Sequence, residues 1–549
     1  MSRAWQRYVR LWLEYAQAHK EDWTALAEEF EQIQRAWEVV VNTDEPGIEP
    51  NQKEQIVLDY LFTLDGFLER QGLVAQNIAW IERGLVAAHT LKQFVFIGRL
   101  GQDLGWCYRL IGQSHKAIEY LELALQVRRK YGPRIGESST LNMIGVVYDD
   151  IGDYQNAITY YEQALTIRLE EGYKKGEAIT RNNLAATYTN LGEFSKAEEQ
   201  YRIAIEMAEE TGDYVDRAGT LNNLGEILMA RGDMQQAKDI FEKALKIFED
   251  YGDEVNTASV QNNLGLLYAS IGDRREAIKC LEAALEAQRK LGFTRQSATT
   301  LNNLGTVYEA IGELDTALRY FLEAHALDQE GTNKVGTASS LANIGGIYIR
   351  RKEWAKAIDY YNKARDIFVE LQQRSFEATT LNNLAVIYEK LDQTEKALEA
   401  LTKALEIHRY TGNREGEAET LNNLGAIAKN IGELEQAKMY FSQALEMNEA
   451  TQNLDSQGTN LNNLGAVASF MDDPETAIVY YTRALEIRRR IEANEGIANT
   501  LYNLSIVLKS VGQLSQAEIM LNEAVELDER YGFANLERDR TALARLRQD

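Results

Sequence analysis

The chain has 549 residues, 45% of them hydrophobic and 26% charged, with a formal net charge of −25. Such a composition can bury a large core and excludes a disordered chain. The acidity argues against nonspecific binding to DNA or RNA and against an anionic membrane surface. The two cysteines, Cys107 and Cys280, lie far apart and form no metal-type spacing. They predict reduced, buried thiols in a cytosolic protein.

In chain order, "MSRAWQRYVRLWLEYAQAHK" interrupts its apolar residues with Arg7, Arg10 and Glu14, so it is expected not to be a signal peptide. No run of about 18 apolar residues follows to span a membrane, and the cytoplasm is the expected location. The stretch "WLEYAQAHKEDWTALAEEFEQIQRAWEVV" reads as helical, out of register with what comes later. A break is expected at "NTDEPGIEPNQ", which holds two of the four prolines.

From about residue 61 to 540 the chain keeps a 40-residue register without insertion. Leu64, Leu104, Ile144, Leu184, Leu224, Leu264, Leu304, Ile344, Leu384, Leu424, Leu464 and Leu504 share one position. Alanine fills another from Ala117 to Ala517 and a third from Ala124 to Ala524. Each unit predicts two helices. In the repeat from Gly136, helix A runs through "ESSTLNMIGVVYDDI", "GD" at Gly152 breaks it, and helix B follows as "YQNAITYYEQALTIRLEE". Glycine recurs after the periodic leucine, as at Gly145, Gly225, Gly265, Gly305 and Gly345. A glycine inside a helix costs about 1 kcal/mol relative to alanine, so its recurrence predicts a close approach of helix B.

These features resemble the tetratricopeptide repeat: the leucine–glycine–tyrosine of helix A, the glycine turn, and the alanine–aromatic–alanine of helix B. The units are longer than the usual ~34 residues. The proline that commonly ends helix B is replaced by residues such as Leu169 or Arg489. This longer, asparagine-bearing variety is similar to the repeats of kinesin light chains, spindle-orientation scaffolds and bacterial signalling proteins. The resemblance implies an all-α, right-handed α–α superhelix of about twelve helix–turn–helix repeats. The expected organisation is an N-terminal helical segment over 1–60, a solenoid over 61–533 and a polar C-terminal capping helix over 534–549. The first segment also resembles the stretch joining the nucleotide-binding module of bacterial signal-transducing ATPases to their repeat sensor arm, without that module.

"TLNNLG" begins at Thr220, Thr300 and Thr420, and "TLNNLA" at Thr380, although asparagine is a mediocre helix former. At 100° per residue, Leu421, Leu424, Gly425 and Ala428 centre one buried face, and Asn423 lies roughly 150° from it. Nine successive repeats carry this outward asparagine: Asn183, Asn223, Asn263, Asn303, Asn343, Asn383, Asn423, Asn463 and Asn503. In tetratricopeptide stacks helix A lines the concave surface, so the resemblance places this column in the inner groove, amid small neutral residues. A carboxamide offers donors and an acceptor without charge. A column of them therefore matches an extended peptide backbone, and such amides hold a bound peptide's main chain in related scaffolds.

The same amides could instead bond neighbouring repeats and set the pitch. That reading is preferred for the flanking column of Asn182, Asn222, Asn262, Asn302, Asn382, Asn422 and Asn462; both roles can coexist. Arg350, Lys390, Lys429, Lys509 and Phe470 project on or beside the groove in later repeats, and Asp149, Asp150 and Glu226 in earlier ones. That polarity suits a ligand with an acidic portion toward the C-terminal half, although charges at helix ends are commonly just solvated.

Site chemistry is not visible. "GTNKVGTAS" at Gly331 only loosely mimics a phosphate-binding loop and falls between two repeats. The five histidines lack metal-ligand spacing, and the tyrosine pairs beginning at Tyr160, Tyr360 and Tyr480 read as inter-helix core. The expected function is a non-catalytic protein-interaction scaffold, with no cofactor or metal, binding a protein or peptide in the concave groove and neither nucleic acid nor membrane. The alternative is a stand-alone sensor arm that takes a small effector or protein and works with a separate ATPase or regulator.

Overall fold

The computed structural model describes residues 2–20, 22–42, 49–64, 66–70 and 73–548. Every regular element among them is an α-helix. The chain divides into two units, Met1–Cys280 and Leu281–Asp549.

The first unit opens with helices Ser2–Ala18, Trp23–Glu28, Phe30–Asn42 and Pro50–Thr63. Most of the expected proline break lies outside the described residues; beyond it, Pro50 starts its helix where a missing N–H costs nothing. Trp37 stacks on Trp80 at 4.2 Å, and the buried Tyr60 hydroxyl donates to the Val9 carbonyl at 2.6 Å. The opening helices are thus packed onto the first repeat. Leu64 departs from the regular pattern: it ends Pro50–Thr63 instead of sitting mid-helix. The chain then turns through Gly66, whose φ of 77° favours glycine, before the short helix Phe67–Arg70.

From Val74 onward nearly every helix has 17 or 18 residues. In the first unit the A helices include Phe94–Leu110, Arg134–Asp150, Lys174–Asn190, Tyr214–Arg231 and Glu254–Ser270. In the second they are Thr294–Ala310, Lys334–Arg350, Arg374–Lys390, Arg414–Asn430, Leu454–Phe470 and Asn494–Ser510. A left-handed residue closes successive helices, glycine at Gly152 and Gly172 but threonine at Thr332 and glutamine at Gln372. The extra length over a shorter repeat therefore lies in the helices, not the turns.

The periodic residues are the core. Ile144, Leu224, Leu304 and Leu384 are buried, as are Ala117, Ala157, Ala317 and Ala397. Full burial of each large aliphatic side chain contributes about 1.5–3 kcal/mol. The mid-helix glycine has the expected cause. A Cβ on Gly225 would stand 2.6 Å from the Phe241 ring, and one on Gly305 would stand 2.5 Å from Phe321. Leucine replaces the ring at Leu121, which still faces Gly105, and at Leu401 and Leu521, where Ala385 and Ser505 stand in place of the glycine. Tyr161, Tyr361 and Tyr481 fill this space, while Tyr148–Tyr160 and Tyr348–Tyr360 stack between helices A and B at 5.4 Å.

Repeats are joined through one further buried position near the end of helix B. Arg128 donates to Thr140 Oγ1 at 2.8 Å and Gln102 Oε1 at 2.6 Å. Arg168 reaches the Gly176 carbonyl, Thr180 Oγ1 and Ser138 Oγ. Arg488 reaches the Gly496 carbonyl at 2.8 Å and Thr500 Oγ1. Equivalent positions hold Asp328, His408, Asn448 and Asp528, all buried.

Candidate partner-binding face

Within each unit, A helices of successive repeats approach one another more closely than B helices do, so the A helices form the narrower wall. Two carboxylates on this wall are perturbed by their surroundings. Glu226 and Glu419 are exposed, yet desolvation is the main cause raising both carboxyls above the usual range. In the first unit Asp149 is raised by the same cause, partly offset by a hydrogen bond from Thr187 Oγ1 at 2.8 Å.

All nine outward asparagines, from Asn183 to Asn503, are half-buried on this wall, neither sealed nor fully solvated. Their amides also bridge repeats. In the first unit Nδ2 of Asn183, Asn223 and Asn263 donates to Oδ1 of Asn142, Asn182 and Asn222 at 3.4, 3.3 and 3.0 Å. In the second unit Asn343, Asn463 and Asn503 donate to Asn302, Asn422 and Asn462 at 3.2, 3.0 and 3.2 Å. Flanking oxygens accept again from the next repeat, Asn142 from Thr180 at 3.0 Å, Asn422 from Asn460 at 3.0 Å and Asn462 from Thr500 at 3.3 Å, and Asn382 accepts from Thr420 at 3.0 Å. The flanking column is therefore inter-repeat structure. Asn183, Asn223, Asn343, Asn463 and Asn503 each spend an N–H on it, and a carboxamide has a second N–H and an acceptor oxygen besides. Asn303 and Asn383 are half-buried at the same register, as is Asn423.

Arg350 is exposed and pairs with Glu309 at 3.7 Å; Lys390 is exposed at the end of its helix. Lys429 is half-buried, Lys509 exposed, and Phe470 keeps 67% of its surface. Asp150 pairs with Arg109 at 2.5 Å. The Gly331 segment is a repeat linker: Thr332 is left-handed, and Asn333 caps helix Lys334–Arg350 by accepting from Gly336 N at 3.2 Å. The buried Asp328 carboxylate faces it, which opposes an anion there. Cys107 is buried as expected, whereas Cys280 is half-buried. Among the described residues no group of three or more His, Cys, Asp or Glu is placed to hold a metal ion, and no helix is long and apolar enough to cross a membrane.

Two features escaped the sequence reading. One is Asn142, which extends the flanking column by a repeat. The other is the buried junction position, although the recurrence of Arg, Gly and Thr at 128/136/140, 168/176/180 and 488/496/500 signals it.

The tetratricopeptide repeat family matches residues 136–210, 216–290, 296–368, 376–450 and 456–530, and again 102–131. The chain belongs to that family. No curated protein matches it. Among solved structures it is similar to BtubC (BKLC) from P. vanneervenii, with 24% identity over 41% of this chain and 91% of that one and a TM-score of 0.36. It is also similar to the apo form of RapI, with 15% identity over 50% and 99% and a TM-score of 0.42. A third likeness is to the APC/C hetero-tetramer Cut9–Hcn1, with 16% identity over 98% and 96% and a TM-score of 0.40. The repeat architecture supports a protein–protein interaction scaffold.

Proposed function

We propose that this protein is a non-catalytic scaffold whose A-helix wall holds the main chain of an extended peptide or partner segment through the outward asparagines. The observation that carries the reading is the half-buried, uncharged amide column, in which Asn343, Asn463 and Asn503 each spend one N–H on the neighbouring repeat. An extended backbone needs a donor and an acceptor at each residue, and an amide already oriented by one bond loses less side-chain entropy on making a second. In this reading residues 1–60 and 534–549 cap a solenoid over 61–533, the protein works in the cytoplasm, and Arg350 and Lys390 face the acidic portion of the ligand.

The test is peptide-display selection on the full chain, followed by titration of selected peptides against Asn343→Ala/Asn383→Ala/Asn423→Ala. Each bond to main chain is worth about 1 kcal/mol, so the triple variant should bind about tenfold or more weakly while its helical circular dichroism is kept. Undiminished binding by the folded triple variant would refute the docking role.

A further inference from the structure

The amide column changes character at one repeat of the first unit. Glu226 stands on helix Tyr214–Arg231 at a position where the neighbouring A helices carry Val146, Ala186 and Leu266. Its Oε1 accepts two amide bonds, from Asn222 Nδ2 at 3.0 Å and from Asn263 Nδ2 at 2.7 Å. Asn263 Nδ2 also donates to Asn222 Oδ1 at 3.0 Å, so its two N–H groups are spent inside the protein. At this repeat the column has no amide proton left to donate from Asn263. It presents an exposed carboxylate held through Oε1 by the two amides.

The charge on that carboxylate is acted on by burial and by the two amides, and no lysine or arginine is among the groups that act on it. Two helical turns earlier on the same face lies Gly219, about 10 Å away along the axis. A Cβ there would meet nothing within 4 Å, so packing does not require glycine. The equivalent residues of the adjacent A helices are Ile179 and Ser259. A mid-helix glycine costs about 1 kcal/mol relative to alanine, and one reason to keep it without a packing cause is close approach of another backbone. From a main chain laid over Gly219, a long cationic side chain spans the distance to an ion-pair separation of about 3 Å from the Glu226 carboxylate.

We propose that Glu226 and Gly219 form a charge-selecting subsite of the first unit's wall, where an extended partner passes its main chain over Gly219 and places a lysine or arginine against Glu226. The inference rests on the scaffold reading above and adds to it the sign of charge the partner must carry at this repeat. A partially desolvated carboxylate without a counter-ion favours a cation and penalises an anion or a neutral residue of the same length.

Random twelve-residue peptides displayed on phage are selected on the full chain and on Glu226→Gln, which keeps an acceptor for both amides. Peptides that bind the first unit should carry lysine or arginine at one register position, bind Glu226→Gln about tenfold more weakly, and bind Gly219→Leu more weakly still. Replacing the basic residue by methionine in a selected peptide should cost the wild type about tenfold and Glu226→Gln little. That peptide substitution decides the matter even where a variant fails to fold. Selected peptides without basic enrichment, or equal binding by wild type and Glu226→Gln, would overturn the subsite and leave the scaffold reading intact. If no peptide is selected, or binding is insensitive to the asparagines, both readings fall.

Discussion

The junction after helix Tyr154–Glu170 and the junction after helix Thr394–Thr411 occupy the same place in their repeats and differ in the side chain that fills it. At the first, Arg168, 5% exposed, bonds the Gly176 carbonyl, Thr180 and Ser138. Burial without a carboxylate partner pulls its guanidinium down to about 10, still charged at neutral pH. At the second, His408 is 1% exposed and neither ring nitrogen has a partner, and Asn382 Nδ2 nearby in the stack is also unpaired. Yet Gly416 and Thr420 stand where Gly176 and Thr180 do, and a Cβ on Gly416 would be 2.3 Å from the imidazole. The repeat geometry fixes a buried slot in which two of these acceptors recur, while Ala378 stands where Ser138 does, and the residue in the slot decides whether they are used. In a chain of nearest-neighbour interfaces, such differences set where the stack opens first.

The largest expected effect comes from emptying the satisfied slot. Arg168→Ala removes charged donors from three buried acceptors and leaves a void, and should cost about 3 kcal/mol by urea unfolding. A loss below about 0.5 kcal/mol would mean that water replaces the guanidinium.

Next comes the slot with the wrong charge. Asp528 is fully buried with both oxygens unpartnered, beside the buried Asp539 of helix Leu536–Leu546. Burial first, then Asp539, raises its carboxyl above the ordinary 3.8. A raised folded value means the protonated form is favoured in the fold. Its contribution is complete below pH 3.8 and is lost as pH rises through the raised value. Asp528→Asn should therefore raise the melting temperature at pH 7.5 by the equivalent of about 1 kcal/mol and make little difference at pH 4.

The poorly used slot gives a smaller effect of the same sign. His408→Arg should form with the Gly416 carbonyl and Thr420 the bonds that Arg488 makes with Gly496 and Thr500, and stabilise the chain by about 0.5 kcal/mol. Destabilisation would show that Glu417 or neighbouring packing leaves no room for the longer side chain.

The smallest effect is a slope. Burial lowers the His408 imidazole below 6.5, with Glu417 opposing it. The neutral ring is favoured in the fold, so its contribution is full above pH 6.5 and is lost as pH falls through the lowered value. Thermal unfolding between pH 7 and 5 should show a loss in the wild type that is weaker in His408→Arg.

Much of the fold was legible because its determinants are local or strictly repeated. The leucine column, the alanines and the mid-helix glycines recur every 40 residues, and each has the buried role its period implied. The opening repeat was less legible: Leu64 keeps the register in sequence, but the turn at Gly66 ends the helix beneath it. Of the candidate face, the sequence located the outward column through helical geometry. It left open how each amide is bonded, because Asn463 and Asn422 are 41 residues apart and meet only when repeats stack. The arginine junctions were hidden for the same reason, their acceptors being supplied by the following helix.

The sequence by itself determined the paired helices, their length, the small residues that let them touch, and the face on which the asparagines lie. Those follow from period and side-chain size, which need no neighbour to be read. Only the tertiary structure decided which amide protons are spent between repeats, that two of them converge on Glu226, and which buried slots are satisfied. Each of these depends on groups brought within about 3 Å by stacking, and a donor's availability is a property of the assembled wall and not of the residue.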